Sequence, residues 1–394
     1  MDKKPPITTP AQAGSAIKRS ILLRDYMQGI EPTDRLPFDD LPTVLMGLFG
    51  EVGGVMAATK KIRREQEAYQ GYQHAVEEEF GDALWYFTAL CRRLGIGVDD
   101  ILSSAANGEG YEKLVVASDL LNGPISHVVA ANGVQPLNET LLALGDATAA
   151  LLQIREDNAA TRALLQEFAR RYLHAIQVAG VPFSQVVHKN LDKARGRFLA
   201  PDLATLPDFD GSFLDEERIP QRFEIKITQR KSGQSYLQWN GVFVGDPLTD
   251  NIQDSDGYRF HDVFHFAHAA ILHWSPTFRA LIKQKRKSDR KIDEAQDGGR
   301  AIVVEEGLTA FIFSRAKELN FFEEQRSVSF DILKSVEQFV KGYEVEACPL
   351  NLWERAILDG YAVFRQVRAN NGGIVICDRT TRTIGYRSLE ADES

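Results

Sequence analysis

With 394 residues and a formal net charge of −9, the chain is too long for one hydrophobic core and too acidic for a general nucleic-acid or membrane-surface binder. Its 44% hydrophobic and 26% charged residues are those of an ordinary globular protein. Three widely spaced cysteines, Cys91, Cys348 and Cys377, form neither a disulfide framework nor a zinc knuckle, so a cytoplasmic location is expected.

Residues 1–14, rich in Pro, Thr and Ala, read as a flexible tail without an apolar leader, and no segment reads as a membrane span. From 15 to 200, "AIKRSILLRDYMQGI", "LPTVLMGLFGEVGGVMAATKKIRRE", "AVEEEFGDALWYFTALCRRLGI", "ETLLALGDATAALLQIRE" and "TRALLQEFARRYLHAIQVAGV" repeat apolar residues at three-to-four spacing. That spacing predicts an all-α helical bundle, its helices separated by loops such as "NGEGYE" and "NGVQP". "GEVGGVMAATKKI" is echoed by "GDATAALLQI", and "LCRRLGIGVDDIL" by "IQVAGVPFSQVV". The echo, which keeps Asp146 and Glu167, reads either as a duplicated helix pair or as two similar amphipathic hairpins.

Residues 201–220 carry three prolines and several acids and read as a linker. In 221–394, "RFEIKITQ" alternates, "RKSGQS" turns and "YLQWNGVFVG" returns. Helical segments follow from Tyr258 to Val367, and "GGIVICDRTTRTIGYRSL" offers a second hairpin. The expected fold is mainly α: a helical bundle followed by an α+β domain with a small antiparallel sheet.

Chemistry concentrates first around Glu51 and "EEEFGDALWYF", residues 77–87. Glu79 and Asp82 are three apart and share a helix face, while Glu51 lies on an earlier helix able to lie antiparallel to theirs. Carboxylates from facing helices make a hard oxygen cage suited to Mg²⁺. The plainer alternative is a solvated face of an amphipathic helix. Gly53 and Gly54 are unexpected in this context, because each helical glycine costs about 1 kcal/mol relative to Ala.

The two segments, "GLFGEVGGVMAATKK" and "EEEFGDALWYFTALCRRLGIGVDDIL", together resemble the MazG-like all-α nucleoside triphosphate pyrophosphohydrolases. Gly50, Glu51 and Gly53 match that family's first acidic element; Glu79, Gly81, Asp82, Leu84, Trp85 and Tyr86 match the second. The family's closing N-x-x-K and later Arg are offered by Asn190, Lys193 and Arg197 in "HKNLDKARGRF", displaced by the extra helices between. The resemblance implies hydrolysis of a (deoxy)nucleoside triphosphate to monophosphate and pyrophosphate. It also implies that Glu51, Glu79 and Asp82 hold Mg²⁺ or Mn²⁺, with Gly53 a small residue near the metal. Lys60 and Lys61 would reach phosphates and Trp85 or Tyr86 would flank the base, core packing being the alternative for both rings. A dimer is implied as well. The departure is Gly54, where the family has a carboxylate three residues after Glu51. Its loss leaves open a catalytically impaired nucleotide sensor, for example in antiviral defence, which would signal to a protein partner.

A second cluster, "GYRFHDVFHFAHAAILHW", holds His261, His265, His268 and His273. On a helix, positions 261, 265 and 268 fall within about 60° of arc. Asp262 stands at the edge of that arc, and Glu305 and Glu306 follow on another helical segment. Imidazoles with carboxylates suit Zn, Mn or Fe, giving a third reading as a metal-dependent hydrolase. Satisfied core histidines are the alternative. A basic run, "KQKRKSDRK" at 283–291, reads as a solvated face or as a loop that grips phosphate.

Overall fold

The computed structural model describes residues 23–69, 71–107, 114–116, 128–130, 136–155 and 159–389. The chain divides into two compact units, 1–198 and 199–394. The expected tail at 1–14 and most of the loops around 108–112 and 132–135 lie outside the described residues.

The first unit contains α1 (Leu23–Ile30), α2 (Leu41–Glu65), α3 (Tyr72–Arg93), α4 (Val98–Asn107), α5 (Leu137–Leu151), α6 (Ala159–Val178) and α7 (Phe183–Phe198). Between α4 and α5, β1 (Leu114–Val116) pairs antiparallel with β2 (Val128–Ala130), a small ribbon in what the sequence predicts as purely helical. α2 starts where Asp40 accepts a hydrogen bond from the Thr43 amide at 3.0 Å, with Pro42 in the first turn. It runs unbroken through Gly53 and Gly54 because Val44, Leu48, Val52 and Val55 are buried on one face, against α3. Burying each such side chain yields about 1.5–3 kcal/mol, enough to offset two helical glycines. The run Leu41–Ala68 is, by length and composition, apolar enough to cross a membrane, contrary to the expectation that no segment approaches a span.

Phe80, Leu84 and Phe87 of α3 meet Phe168 and Tyr172 of α6 in the core, Phe80 and Tyr172 edge to face at 5.7 Å. α5 packs on α6 as α2 packs on α3, and α2 also touches α5. Two helix hairpins therefore exist where the sequence echo falls. The echo's Glu167 is held by Arg170 and Arg171, each at 2.7 Å.

In the second unit, β3 (Arg222–Gln229), β4 (Ser235–Trp239), β5 (Val242–Leu248), β6 (Gly372–Asp378) and β7 (Thr383–Arg387) form an antiparallel sheet of order β5-β4-β3-β6-β7. The expected single return strand "YLQWNGVFVG" is two strands. Asn240 and Gly241 both take positive φ, 49° and 78°, and turn the chain between them. An Asn-Gly pair favours this two-residue hairpin because both central positions need the left-handed region. β3 and β6 pair from Arg222↔Asp378 to Thr228↔Gly372, closing the sheet around sequence-distant ends.

The helices of this unit are α8 (Asp262–Ala267), α9 (Pro276–Ile282), α10 (Arg290–Ala295), α11 (Gly299–Glu318), α12 (Phe330–Phe339) and α13 (Leu350–Ala369). α8 widens into a π-helical turn, His268–Leu272, and α13 packs against α8, β6 and β7. Residues 201–220 are held within this unit. Asp210 is buried, pairs with Arg279 and accepts the Ile219 amide, while Ile219 is itself in the core. The basic run 283–291 is largely exposed, as a solvated face would be, but Arg286 within it is not. Arg286 is fully buried, bonded to Asp297 at 2.6 Å and to Glu344 at 2.5 Å, and Ser288 binds Glu217.

Candidate functional site

In the first unit, α2 delivers Glu51, α3 delivers Glu79 and Asp82, and α7 delivers Asn190 and Lys193. The Asn190 side-chain amide donates to Asp82 Oδ1 at 3.0 Å, and Lys193 Nζ donates to Asp82 Oδ2 at 2.5 Å and to Glu78 Oε1 at 2.7 Å. Tyr26 anchors Asn190 from behind, its hydroxyl donating to Asn190 Oδ1 at 2.8 Å. Gly81 makes room for this contact, since a Cβ there would stand 2.9 Å from Asn190 Cβ. Lys189, one turn before Lys193, pairs with Glu77. Tyr26, Glu77, Glu78 and Lys189 were not singled out from the sequence. The i, i+4 lysines of α7, set opposite the triple glutamate, are the signal that points to them.

Glu51 is hydrogen-bonded to Glu79, and its carboxyl is raised from 4.5 to about 8 by burial, by the negative charge of Asp82 and by Glu79. Lys193 is raised despite burial because Asp82 and Glu78 hold its charge. Four acids, Glu51, Glu78, Glu79 and Asp82, gather on the side of α3 that faces Lys193, a grouping suited to a cation. Glu79 occupies space that a side chain at 54 would need. A Cβ at Gly54 would stand 3.1 Å from Glu79 Oε1 and much closer to Oε2. Gly53, by contrast, has no protein atom within 4 Å of such a Cβ.

The shifted Glu51 links stability to pH. The unfolded chain loses this proton near 4.5, whereas the folded chain keeps it until about 8. Glu51's contribution is therefore complete below the lower value and is lost as pH rises through the upper one. Denaturation without added metal is expected to show stability falling across that window, with a shallower slope in Glu51→Gln.

Other expected residues lie elsewhere. Lys61 stacks over Tyr69 at 4.3 Å and pairs with Glu65 at 3.9 Å, roughly 15 Å along the helix axis from Glu51 at about 1.5 Å per residue. Lys60 lines a groove with Arg63, Arg64 and Asn138. Trp85 donates its indole N–H to Thr33 Oγ1 at 2.9 Å, meets Tyr86 edge to face, and lines a cavity of about 310 Å³ with Met27, Ile30 and Arg92. Tyr86 is raised by burial and then by the negative charges of Glu51 and Asp82. Arg197, one turn beyond Lys193, lies 5.6 Å from the Phe198 ring.

In the second unit, α8 and α11 bring histidines and glutamates together. His265 is fully buried, with Nδ1 3.1 Å from Glu305 Oε1 and Nε2 3.2 Å from Glu306 Oε1. His261 Nε2 lies 3.5 Å from Glu306 Oε2, and His268 Nδ1 lies 2.9 Å from Glu305 Oε1. The other Glu305 oxygen accepts from Ser275 Oγ at 3.1 Å and from the Thr277 amide at 2.9 Å. Burial alone would push Glu305 up, but His265 and His268 hold it at about 2. Asp262 is buried beside them and raised by that burial. His273 leaves the cluster, because the π turn ends there at φ 60° and its Nε2 meets the Arg379 carbonyl at 2.9 Å. Among the described residues, the triads with ligand atoms within 4.8 Å of one another are His261/His265/Glu306 and His265/His268/Glu305.

Residues 204–390 match the family model described as MazG C-terminal domain. The match relates the second unit to MazG-type proteins and fits a nucleotide-pyrophosphatase-type family. No curated protein and no solved structure matches the chain.

Proposed function

We propose that the first unit is a Mg²⁺-dependent nucleotide pyrophosphohydrolase that converts a (deoxy)nucleoside triphosphate to monophosphate and pyrophosphate. The observation that carries this reading is the meeting of Asp82 with Asn190 and Lys193, residues 108 and 111 positions away. An acidic pair and a distant N-x-x-K element have no reason to converge on a merely solvated helix face. The MazG-type match in the second unit agrees with it.

Glu51, Glu79 and Asp82 would hold the ion, which when bound neutralises phosphate charge and orients water. The chain's own residues supply the rest. Asn190, braced by Tyr26, fixes one Asp82 oxygen, so the carboxylate cannot rotate away. Lys193 supplies a positive charge from the facing helix, where a phosphate oxygen would compete for it with Asp82 and Glu78. Glu51, whose carboxyl is raised to about 8 by burial and by Asp82 and Glu79, would have to lose that proton to serve as a ligand.

Purified protein is expected to release pyrophosphate from a nucleotide panel only with Mg²⁺ or Mn²⁺, and to stop in Glu79→Ala and Asp82→Ala. Persistent release in both variants would refute the proposal. A second reading, a nucleotide sensor, is favoured by Gly54, which supplies no carboxylate three residues after Glu51. Calorimetric nucleotide binding without product over hours would select it.

A further inference from the structure

We propose that His261 Nε2, His265 Nε2 and the Glu306 carboxylate bind a divalent transition ion, Zn²⁺, Mn²⁺ or Fe²⁺, in an open three-ligand site of the second unit. This inference is independent of the pyrophosphohydrolase reading. It starts from His265, whose ring is wholly inaccessible and whose two nitrogens each approach a carboxylate yet align with neither as a hydrogen bond. Buried polar atoms are ordinarily satisfied, so a fully buried imidazole left in this way marks a missing partner.

The tautomers agree. His261 Nδ1 lies 2.9 Å from the Tyr258 carbonyl, which can only accept, so in the neutral ring Nδ1 carries the proton and Nε2 presents a lone pair. Tyr258 stacks on the His261 ring at 4.4 Å and holds its plane. The Glu305 carboxylate stands beside His265 Nδ1 and favours the proton there, which leaves the second Nε2 bare. With the His265 ring neutral, as a ligand must be, two lone pairs and a carboxylate face one point, where an ion would replace the second ring proton that Glu305 and Glu306 otherwise favour.

The spacing agrees as well. Ligands about 2.1 Å from an ion stand about 3.0 Å apart at octahedral angles and about 3.4 Å apart at tetrahedral ones. His265 Nε2 stands 3.2 Å from one Glu306 oxygen and His261 Nε2 3.5 Å from the other, and one donor atom from each of the three residues lies within 4.8 Å of the rest. Imidazole with carboxylate selects borderline transition ions over Mg²⁺ or Ca²⁺. Three protein ligands leave positions for water and an anionic group, the pattern of catalytic rather than structural sites. Glu306 is 37% exposed, so solvent reaches this side. Glu305 is fully buried and tied to Ser275 and Thr277, which makes it the orienting carboxylate behind His265. His268 hydrogen-bonds that same carboxylate and stays outside the coordination sphere.

The test is a Co²⁺ titration of chelator-stripped, full-length protein in excess Mg²⁺, which occupies the oxygen site of the first unit. One equivalent of Co²⁺ with visible ligand-field bands, displaced by Zn²⁺, is expected. The bands should vanish in His261→Ala and Glu306→Gln, which alter accessible edges of the site and are checked for folding by circular dichroism. Glu305→Gln should weaken binding about 10- to 100-fold. Folded wild-type protein that binds neither Co²⁺ nor Zn²⁺ stoichiometrically overturns the proposal, and His265 is then an imidazolium clamped between two glutamates. Bands kept in Glu306→Gln but lost in His268→Gln overturn the ligand assignment and place the ion in the inner triad.

Discussion

Gly54→Ala is expected to lower pyrophosphate release about 100-fold while leaving the fold intact, the penalty of displacing a catalytic group by about 1 Å. A Cβ at this position collides with the Glu79 carboxylate, so Glu79 must swing away and lose its hydrogen bond to Glu51. The same change should add about 1 kcal/mol of helix propensity. Stability and activity therefore move in opposite directions, which a cavity or misfolding effect would not produce. Gly53→Ala is the control. Its Cβ meets nothing, so it should gain similar stability without altering release. Steady-state kinetics beside urea denaturation of both variants separates the two effects. Equal activity of Gly54→Ala and wild type would show that the position of Glu79 does not matter to turnover.

This changes the meaning of the paired glycines. In the sequence, Gly54 is the place of an absent carboxylate, and restoring it as Gly54→Glu looks like the direct route to fuller activity. In the structure that space holds the Glu79 side chain, so an added glutamate displaces one proposed ligand as it supplies another. The terminal carboxylate of Glu79 is flexible enough to move, which makes Gly54→Glu an exchange of one oxygen donor for another.

The sequence made the helical hairpins legible because their buried faces follow the helical period strictly, as Leu48, Val52 and Val55 do. Asn190 and Lys193 were picked out only by the family resemblance, as substrate-binding candidates; their contact with Asp82 was not legible, since no local signal spans 108 residues. The histidine cluster was legible as a set of residues but not as a geometry. The switch from α to π winding at His268 sends His273 away, and nothing in "HFAHAAILHW" announces it. Charge was the least legible property. Asp210 in the linker-like stretch and Arg286 in the basic run form buried ion pairs, with Arg279 and with Asp297 and Glu344, while Asp208, Lys287 and Arg290 beside them stay exposed. Composition reports polarity, whereas burial depends on the tertiary partner. The Asn240–Gly241 hairpin was locally encoded, but the apolar run on either side disguised it as one strand.

Arg279→Ala is expected to cost the second unit about 3–5 kcal/mol, the cost of breaking a buried ion pair and leaving buried hydrogen-bond acceptors unpaired. Arg279 and Asp210 are almost wholly inaccessible, and the guanidinium also donates to the Glu217 and Gln284 carbonyls at 2.9 and 3.2 Å. Arg379 remains 3.2 Å from Asp210 and can neutralise part of the loss, while Asp297 keeps Arg286. The stranded elements are therefore the carbonyls and the geometry of α9 rather than bare charge alone. Arg279→Lys should accordingly recover little, because an ammonium cannot reproduce the planar fork. α9 begins at Pro276, directly after Ser275, and its Thr277 amide shares the Glu305 carboxylate with Ser275. Loosening α9 should thus reach the proposed metal centre through Glu305. Chemical denaturation of Arg279→Ala, followed by Co²⁺ titration under conditions where it is folded, should show weaker ion binding along with lower stability. Reduced stability with unchanged Co²⁺ affinity would confine the network to holding residues 201–220 in place and detach it from the histidine cluster.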